Sequence, residues 1–382
     1  MNLKLTRLLA ALAAVTLTAL SSLTACDGTG ARKHPTRPRM EVVFVLDTTG
    51  SMSGMIAGAK QKIWAIANKL KSAEPTPEIH FGLVGYRDRG DAYVTKVFGL
   101  TTNLDEVYTN LHAFSADGGG DGPESVNEAL HNAVRDLQWS TDPEVLRVIF
   151  LVGDAPPHMD YQDDVKYAET CRLANRKGIL INALQCGQSD ETEKIWREIA
   201  NRTNGTYAAI LQSGGTVKIE TSYDPEITRL NLQLNATIIR YGSKAEQDNA
   251  ARNKEVLASL SAEAMADRSS YLKKSEQGAV MAGRGDLIAE VLNGREQIDK
   301  LDEKKLAPEL GALAPAARQE LIAQKVAERR TLQAQLSTLV AKRDAEVTQK
   351  LKAMEGKDGV LELSAFEVLE TQAKAKGYEF KK

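Results

Sequence analysis

The length, composition and charge of the chain exclude several classes of protein. The chain has 382 residues, of which 42% are hydrophobic and 26% are charged, as in an ordinary globular protein. This length exceeds what one hydrophobic core usually organises, so we expect two structural units. The net charge of −2, from 49 basic and 51 acidic residues, argues against a nucleic-acid-binding protein.

Residues 1–25 have the pattern of an export signal. Lys4 and Arg7 precede a short apolar stretch that is too short to span a membrane comfortably. The segment ends in Leu-Thr-Ala-Cys at positions 23–26, which resembles the lipobox of bacterial lipoproteins. The resemblance implies cleavage before Cys26 and acylation of that residue by palmitate-type chains. Each buried CH₂ group contributes about 0.8 kcal/mol, so several chains form a firm membrane anchor.

Residues 26–39 carry this cysteine and are predicted to form a flexible tether. They are rich in Gly, Pro and Arg and lack hydrophobic periodicity. In enterobacterial lipoproteins an aspartate directly after the cysteine implies retention at the inner membrane, and Asp27 has that position. We therefore expect a protein of the cell envelope that faces the periplasm, with the outer membrane or cell surface as alternatives.

The stretch around which the domain is organised is residues 42–53. Apolar, mostly β-branched residues up to Leu46 predict a strand buried on both faces. Asp47, Thr49 and Ser51 then follow at alternating positions, and a helical pattern begins at about residue 52. Oxygen ligands at the carboxyl end of a parallel strand suit Mg²⁺ or a similar cation.

Strands and helices alternate from residue 40 to about 211. The fully apolar residues 146–152 predict a second central strand, and helices are predicted over 123–137 and 163–176. This alternation predicts an α/β fold with a doubly wound, mostly parallel sheet. Asp154 follows the second central strand, so we expect its carboxylate at the same sheet edge as Asp47.

The pattern Asp-x-Thr-x-Ser at positions 47–51 resembles the metal-ion-dependent adhesion site of von Willebrand factor A (VWA) domains. The resemblance implies that residues 40–222 form such a domain, with a Rossmann-like fold. It also implies a divalent cation, Mg²⁺ first with Mn²⁺ or Ca²⁺ as alternatives, and a protein ligand at the strand-end loops. The cation ligands implied by the resemblance are Asp47, Thr49, Ser51 and, as the family's distant aspartate, Asp154.

The loop at residues 117–125 departs from the family pattern, which usually places a Thr here. Asp121 or Glu124 is the candidate ligand, with Ser125 one position away, and the sequence does not decide between them. An acidic ligand adds negative charge near the other carboxylates. We therefore expect stronger metal binding and a weaker attraction for a carboxylate of the partner.

Two cysteines lie inside the predicted domain. Cys171 is on a predicted helix and Cys186 ends the next strand. In an oxidising envelope the two are candidates for a disulfide, and two buried thiols are the alternative.

Residues 223–382 are predicted to form an α-helical region. A helix is expected from Asp224 to Arg240, Pro308 and Pro315 divide the following segment, and a last helix is expected from Ser364. This region either packs on the first domain or meets a partner.

We interpret the chain as a lipid-anchored envelope protein whose metal-bearing domain mediates protein–protein interaction or adhesion, and not as an enzyme. One alternative is a metal-dependent hydrolase that acts on phosphate esters. Another is an envelope scaffold that acts through its helical tail without metal. No nucleophile elbow or His pair at metal-ligand spacing favours catalysis.

Overall fold

The computed structural model describes residues 38–120, 122–212, 219–274, 285–352 and 361–380. The export signal, Cys26, Asp27 and the loop residue Asp121 lie outside the described residues.

A six-stranded sheet forms the centre of the described part of the chain. Its order is β4-β3-β1-β5-β6-β7, and all neighbouring strands are parallel except β3 and β4. The predicted doubly wound, mostly parallel sheet is therefore confirmed. The strands are β1 (Arg39–Asp47), β3 (Glu78–Tyr86), β4 (Thr95–Thr101), β5 (Leu146–Gly153), β6 (Ile179–Cys186) and β7 (Tyr207–Ile210).

Strand β1 is central because its side chains are apolar on both faces. Phe44 stacks on Phe150 of β5 with ring centroids 5.6 Å apart, on one face of the sheet. Val43 and Val45 point to the opposite face and are fully buried. Burying a side chain of this size contributes about 1.5–3 kcal/mol.

Helices cover both faces of the sheet and alternate with the strands along the chain. The first face carries α1 (Ser53–Lys71), which follows a 3₁₀ turn at Gly50–Met52, and α2 (Leu104–His112). The second face carries α3 (Val126–Arg135), α4 (Tyr167–Arg176) and α5 (Asp190–Arg202).

Two of these helices begin later than predicted. Helix α3 begins at Val126 and not at Pro123, because the backbone of Glu124 instead bonds to Pro156 (N···O 2.9 Å) and to His158 (O···N 3.1 Å). Helix α4 begins at Tyr167 and not at Asp163. The residues before both helices form loops at the carboxyl edge of the sheet.

The C-terminal region is helical, as predicted, and it packs against the sheet domain. Helix α8 contacts α1, and α12 contacts α1 and strands β5, β6 and β7. Residues 38–382 form one compact unit, while the predicted boundary between residues 222 and 223 stays a prediction. The helices are α6 (Asp224–Ala236), α7 (Lys244–Ala258), α8 (Ala262–Lys274), α9 (Leu287–Leu292), α10 (Pro308–Gly311), α11 (Pro315–Lys352) and α12 (Leu361–Lys374); β8 (Glu379–Phe380) pairs with β2 (Ala73–Glu74).

Buried ion pairs join the two regions. Arg268 of α8 donates from Nε and Nη2 to both carboxylate oxygens of Asp105 of α2, each at 2.6 Å. Lys62 of α1 pairs with Glu263 of α8 at 2.6 Å. All four side chains are almost fully buried, so each charge depends on its partner. None of the helices that the structure describes is long and apolar enough to cross a membrane.

Candidate metal centre

Asp47 is held rigidly at the end of β1. It is fully buried, and its Oδ1 accepts hydrogen bonds from the Thr49 backbone N at 2.8 Å and from Thr49 Oγ1 at 2.6 Å. Its second oxygen, Oδ2, is buried and has no hydrogen-bond partner among the described residues. Leaving such an oxygen unpaired costs about 1–3 kcal/mol or more for a charged group, so this position calls for a cation or a donor.

The loop before α3 is fixed to the loop after β1 by backbone bonds. Gly50 N donates to Gly118 O at 3.2 Å, and Asp117 N donates to Thr48 O at 3.2 Å. Gly118 and Gly119 both have φ of +78°, a conformation that L side chains rarely adopt. The glycine run thus allows the loop to pass directly over the Asp-x-Thr-x-Ser turn.

Glu124 is the loop candidate that the structure places at the centre. A Cβ on Gly119 would lie 2.9 Å from Glu124 Oε1 and 3.0 Å from Thr49 Cβ, so both side chains flank the same glycine. Glu124 is 3% exposed, and its Oε2 is buried without a partner among the described residues. Ser125 points elsewhere, because its hydroxyl donates to Asp88 at 2.9 Å.

Asp154 and Ser51 complete the predicted set. Asp154 Oδ2 accepts a hydrogen bond from Gln212 Nε2 at 2.7 Å, and the same Nε2 lies 3.3 Å from the Ser51 carbonyl oxygen. The Ser51 hydroxyl lies 3.4 Å from Thr49 Oγ1. Asp47, Thr49, Ser51, Glu124 and Asp154 therefore meet at one sheet edge.

Burial and neighbouring carboxylates raise the pKa values of two carboxyl groups at this edge. Burial raises the pKa of Asp47 to about 7, against the opposing effect of the Thr49 hydrogen bonds. Burial also raises the pKa of Glu124 to about 9, and the neighbouring carboxylates of Asp47 and Asp88 add to the shift. Two neighbouring carboxyl groups with raised pKa values resist ionisation. A divalent ion favours the ionised form of the carboxylates that bind it.

The donor set fits a hard cation only if hydroxyl groups take part. Within the described ranges, no group of three or more His, Cys, Asp or Glu side chains is arranged to hold a metal ion. The hydroxyls of Thr49 and Ser51 supply further oxygens beside the carboxylates, and oxygen donors of this kind suit Mg²⁺, Mn²⁺ or Ca²⁺.

Sequence reasoning missed three residues of this site. Tyr86 pairs with Asp47 in the β1–β3 register, and its hydroxyl is buried without a partner among the described residues. A Cβ on Gly153 would lie 2.5 Å from that hydroxyl and 3.1 Å from Asp47 Oδ2, so only glycine fits there. The sequence could have indicated this constraint, because Gly153 ends a predicted central strand. No sequence pattern indicated that Gln212 belongs to the site.

The two cysteines are free thiols, so a disulfide between them is excluded. Cys171 belongs to the cluster under α3 to α5, and Cys186 belongs to the cluster on the opposite face of the sheet. The sheet separates them.

Comparison with known proteins supports the domain class. Residues 41–223 match the model of the von Willebrand factor A domain family. Von Willebrand factor A domain-containing protein 7 of Homo sapiens is 34% identical over 120 residues, which are 31% of this chain and 12% of that protein. The alpha-protein kinase vwkA of Dictyostelium discoideum is 29% identical over 120 residues, which are 31% of this chain and 19% of that protein.

These relatives are much longer proteins, and the chain covers at most a fifth of the length of the curated relatives that it matches. Among solved structures, proximal thread matrix protein 1 of the mussel byssus, with a zinc-occupied MIDAS motif, is 17% identical, with a TM-score of 0.35 over 45% of this chain and 42% of that one. A VWA domain in residues 41–223 is thus supported by the family model and by relatives. Domains of this class mediate protein–protein interactions and are generally non-enzymatic.

Proposed function

We propose that the chain is a lipid-anchored protein of the bacterial cell envelope whose VWA domain binds a divalent cation and mediates protein–protein interaction or adhesion. One observation carries the metal-binding part of this proposal. Two buried carboxylate oxygens, Asp47 Oδ2 and Glu124 Oε2, have no partner among the described residues. Both belong to loops where the hydroxyls of Thr49 and Ser51 also meet.

The residues of this chain would have different roles in such a site. Asp47 and Glu124 supply charge, while Thr49 is fixed by its two bonds to Asp47 and keeps its hydroxyl in place. Asp154 is held by Gln212 and contributes from the partly exposed side. Asp121, outside the described residues, stays a candidate ligand. A bound cation would supply a fixed positive centre for the oxygen atoms of these side chains.

The direction of β1 supports a spatial separation between the proposed anchor and the candidate site. The tether reaches the described domain at the amino end of β1, and Asp47 is at its carboxyl end. Eight residue steps of about 3.3 Å separate Arg39 from Asp47, or about 26 Å. A lipid on Cys26 would therefore be linked through the chain to the end of β1 that is remote from Asp47.

Calorimetry tests the metal-binding part. Titration of the full chain with Mg²⁺ and with Mn²⁺ should give a saturable signal that Asp47→Asn abolishes. Asp136→Asn, at the C-terminal cap of α3 on the opposite edge, is the matched control and should bind as the wild type does. Equal binding by the wild type and Asp47→Asn would remove the site assignment.

Cell fractionation tests the anchor. The Cys26→Ser variant should move from the membrane fraction to the soluble fraction, because it loses its acyl chains. Retention of this variant in the membrane would contradict lipid anchoring and would leave the metal site unaffected.

A further inference from the structure

We propose that the surface around the candidate metal centre recognises a cationic protein segment, rich in lysine and arginine, and not an acidic one. This inference rests on the proposed function, because it names the partner of the same site. The surface consists of the described residues of four loops at the carboxyl edge of the sheet, residues 47–51, 87–91, 117–120 with 122–124, and 154–166. We call these four loops the acidic rim.

The formal charge of the acidic rim is far from that of the whole chain. The described residues of these loops include nine Asp or Glu residues and three Lys or Arg residues, a formal charge of −6, whereas the whole chain carries −2. The remainder of the chain is therefore positive by 4. With a divalent ion bound, the rim would still carry −4. A surface of this sign attracts cationic partners and repels carboxylates.

Three acidic side chains of the rim are largely exposed to solvent. The side chains of Asp117, Asp163 and Asp160 are 78%, 75% and 72% exposed, respectively. They come from two different loops, one residue before α3 and two before α4, so the exposed negative charge is not confined to one loop.

The cationic side chains of the rim are already engaged. Arg87 is 4% exposed and donates to the carbonyl oxygens of Thr48 and Ser115. Arg89 bonds to both Asp163 and Asp164, and its guanidinium lies 4.1 Å from the centroid of the Tyr161 ring. Lys166 donates to the Tyr161 carbonyl oxygen. These cations hold the loops together and are poorly placed to receive an acidic ligand.

The buried oxygens show that the rim is more than an exposed acidic cluster. Asp47 is fully buried and Glu124 is 97% buried, and each has one oxygen without a partner among the described residues. The Glu124 carboxylate lies beside Thr49 in the loop where the family pattern usually has a Thr hydroxyl, and a carboxylate neutralises more of a bound ion's charge. A partner that approaches this centre would therefore meet little residual positive charge and further exposed carboxylates.

A pair of peptides tests the inference on the full chain in a neutral detergent with Mg²⁺. The first is a labelled peptide of alternating lysine and serine, and the second has glutamate in place of lysine. We expect the lysine peptide to bind and the glutamate peptide not to bind. The triple variant Asp117→Asn, Asp160→Asn, Asp163→Asn should weaken binding of the lysine peptide about tenfold near 0.1 M salt, where charges interact over about 10 Å.

The matched control triple variant removes three exposed acids at the opposite sheet edge. Glu74→Gln, Glu144→Gln and Glu379→Gln should change binding less than about twofold, because these residues are exposed but distant from the rim. Equal weakening by both triple variants would show general attraction to an acidic protein and would overturn the inference.

Metal titration of the same variants separates the two proposals. None of the three rim substitutions is at a predicted ligand, so Mg²⁺ binding should persist in the rim variant. Tighter binding of the glutamate peptide in Mg²⁺, or no binding of either peptide by a chain that binds Mg²⁺, would overturn the inference and leave the metal site intact. Absence of Mg²⁺ binding by the wild type would instead overturn the metal site.

Discussion

The buried carboxylates of two regions of this molecule have different surroundings. Between the sheet domain and α8, Asp105 and Glu263 are each paired with a buried cation, Arg268 and Lys62, at 2.6 Å. At the sheet edge, Asp47 is equally buried but keeps one oxygen unpaired among the described residues.

The difference distinguishes buried carboxylates that stabilise the packing of two regions from buried carboxylates that are suited to bind a cation. Burial of an ion costs several kcal/mol, which a well-placed partner offsets. The C-terminal region supplies that partner from within the chain, so the pairs at α8 fix how two regions pack. At the sheet edge one oxygen of Asp47 and one of Glu124 have no hydrogen-bond partner among the described residues, and a cation from solution fits that role.

The largest expected effect comes from breaking a pair between the two regions. Arg268→Met should destabilise the chain by about 3–5 kcal/mol, because it leaves Asp105 buried and unpaired. Urea unfolding measures this change. The double variant Asp105→Leu, Arg268→Met should recover much of the loss, since it removes both charges. No recovery would mean that the pair contributes through packing and not through charge.

A smaller effect is expected when a cation is added at the sheet edge. Free Mg²⁺ at about 100 times its Kd should raise the free energy of unfolding of the wild type by about 2.7 kcal/mol. The same addition should leave Asp47→Asn unchanged, and EDTA should reverse the gain. Equal stabilisation of both proteins would place the ion elsewhere in the molecule.

A third effect concerns the space beneath the site. Gly153→Ala should destabilise the chain by about 1–3 kcal/mol and weaken Mg²⁺ binding, because its Cβ would lie 2.5 Å from the Tyr86 hydroxyl. Gly99→Ala in β4 is the control, since nothing lies within 4 Å of a Cβ there. Thermal unfolding and calorimetry compare the two variants. Similar losses in both would show that close packing at Gly153 is not the cause.

The smallest effect is expected at Gln212. Its exposed amide holds Asp154 through one hydrogen bond of 2.7 Å, and such a bond contributes about 0.5–1.5 kcal/mol. Gln212→Ala should therefore weaken Mg²⁺ binding by no more than about tenfold, as measured by calorimetry. Complete loss of binding would make Gln212 a direct ligand.

Part of the site was predictable because strand direction determines it. Asp47 and Asp154 follow two fully apolar stretches, and parallel strands bring their carboxyl ends to one edge. The positions of Glu124 and Ser125 were not predictable, because they depend on the positive φ of the glycines and on the backbone bonds of Glu124 to Pro156 and His158. Asp121 lies outside the described residues and stays an alternative ligand.

The packing of the C-terminal region was also beyond the sequence. Helical periodicity indicated its helices, and α12 begins at Leu361, close to the predicted start at Ser364. However, Asp105 and Arg268 are 163 residues apart, and no local pattern relates them. Long-range pairs of this kind depend on how helices return to the sheet, which periodicity alone does not specify.

Diffraction from crystals soaked in Mn²⁺ tests the central claim most directly, because the anomalous signal locates the ion. We expect one strong peak bounded by Asp47, Thr49, Ser51 and Glu124, with Asp154 close by. A peak away from these residues, or none at a Mn²⁺ concentration that saturates the calorimetric signal, would contradict it.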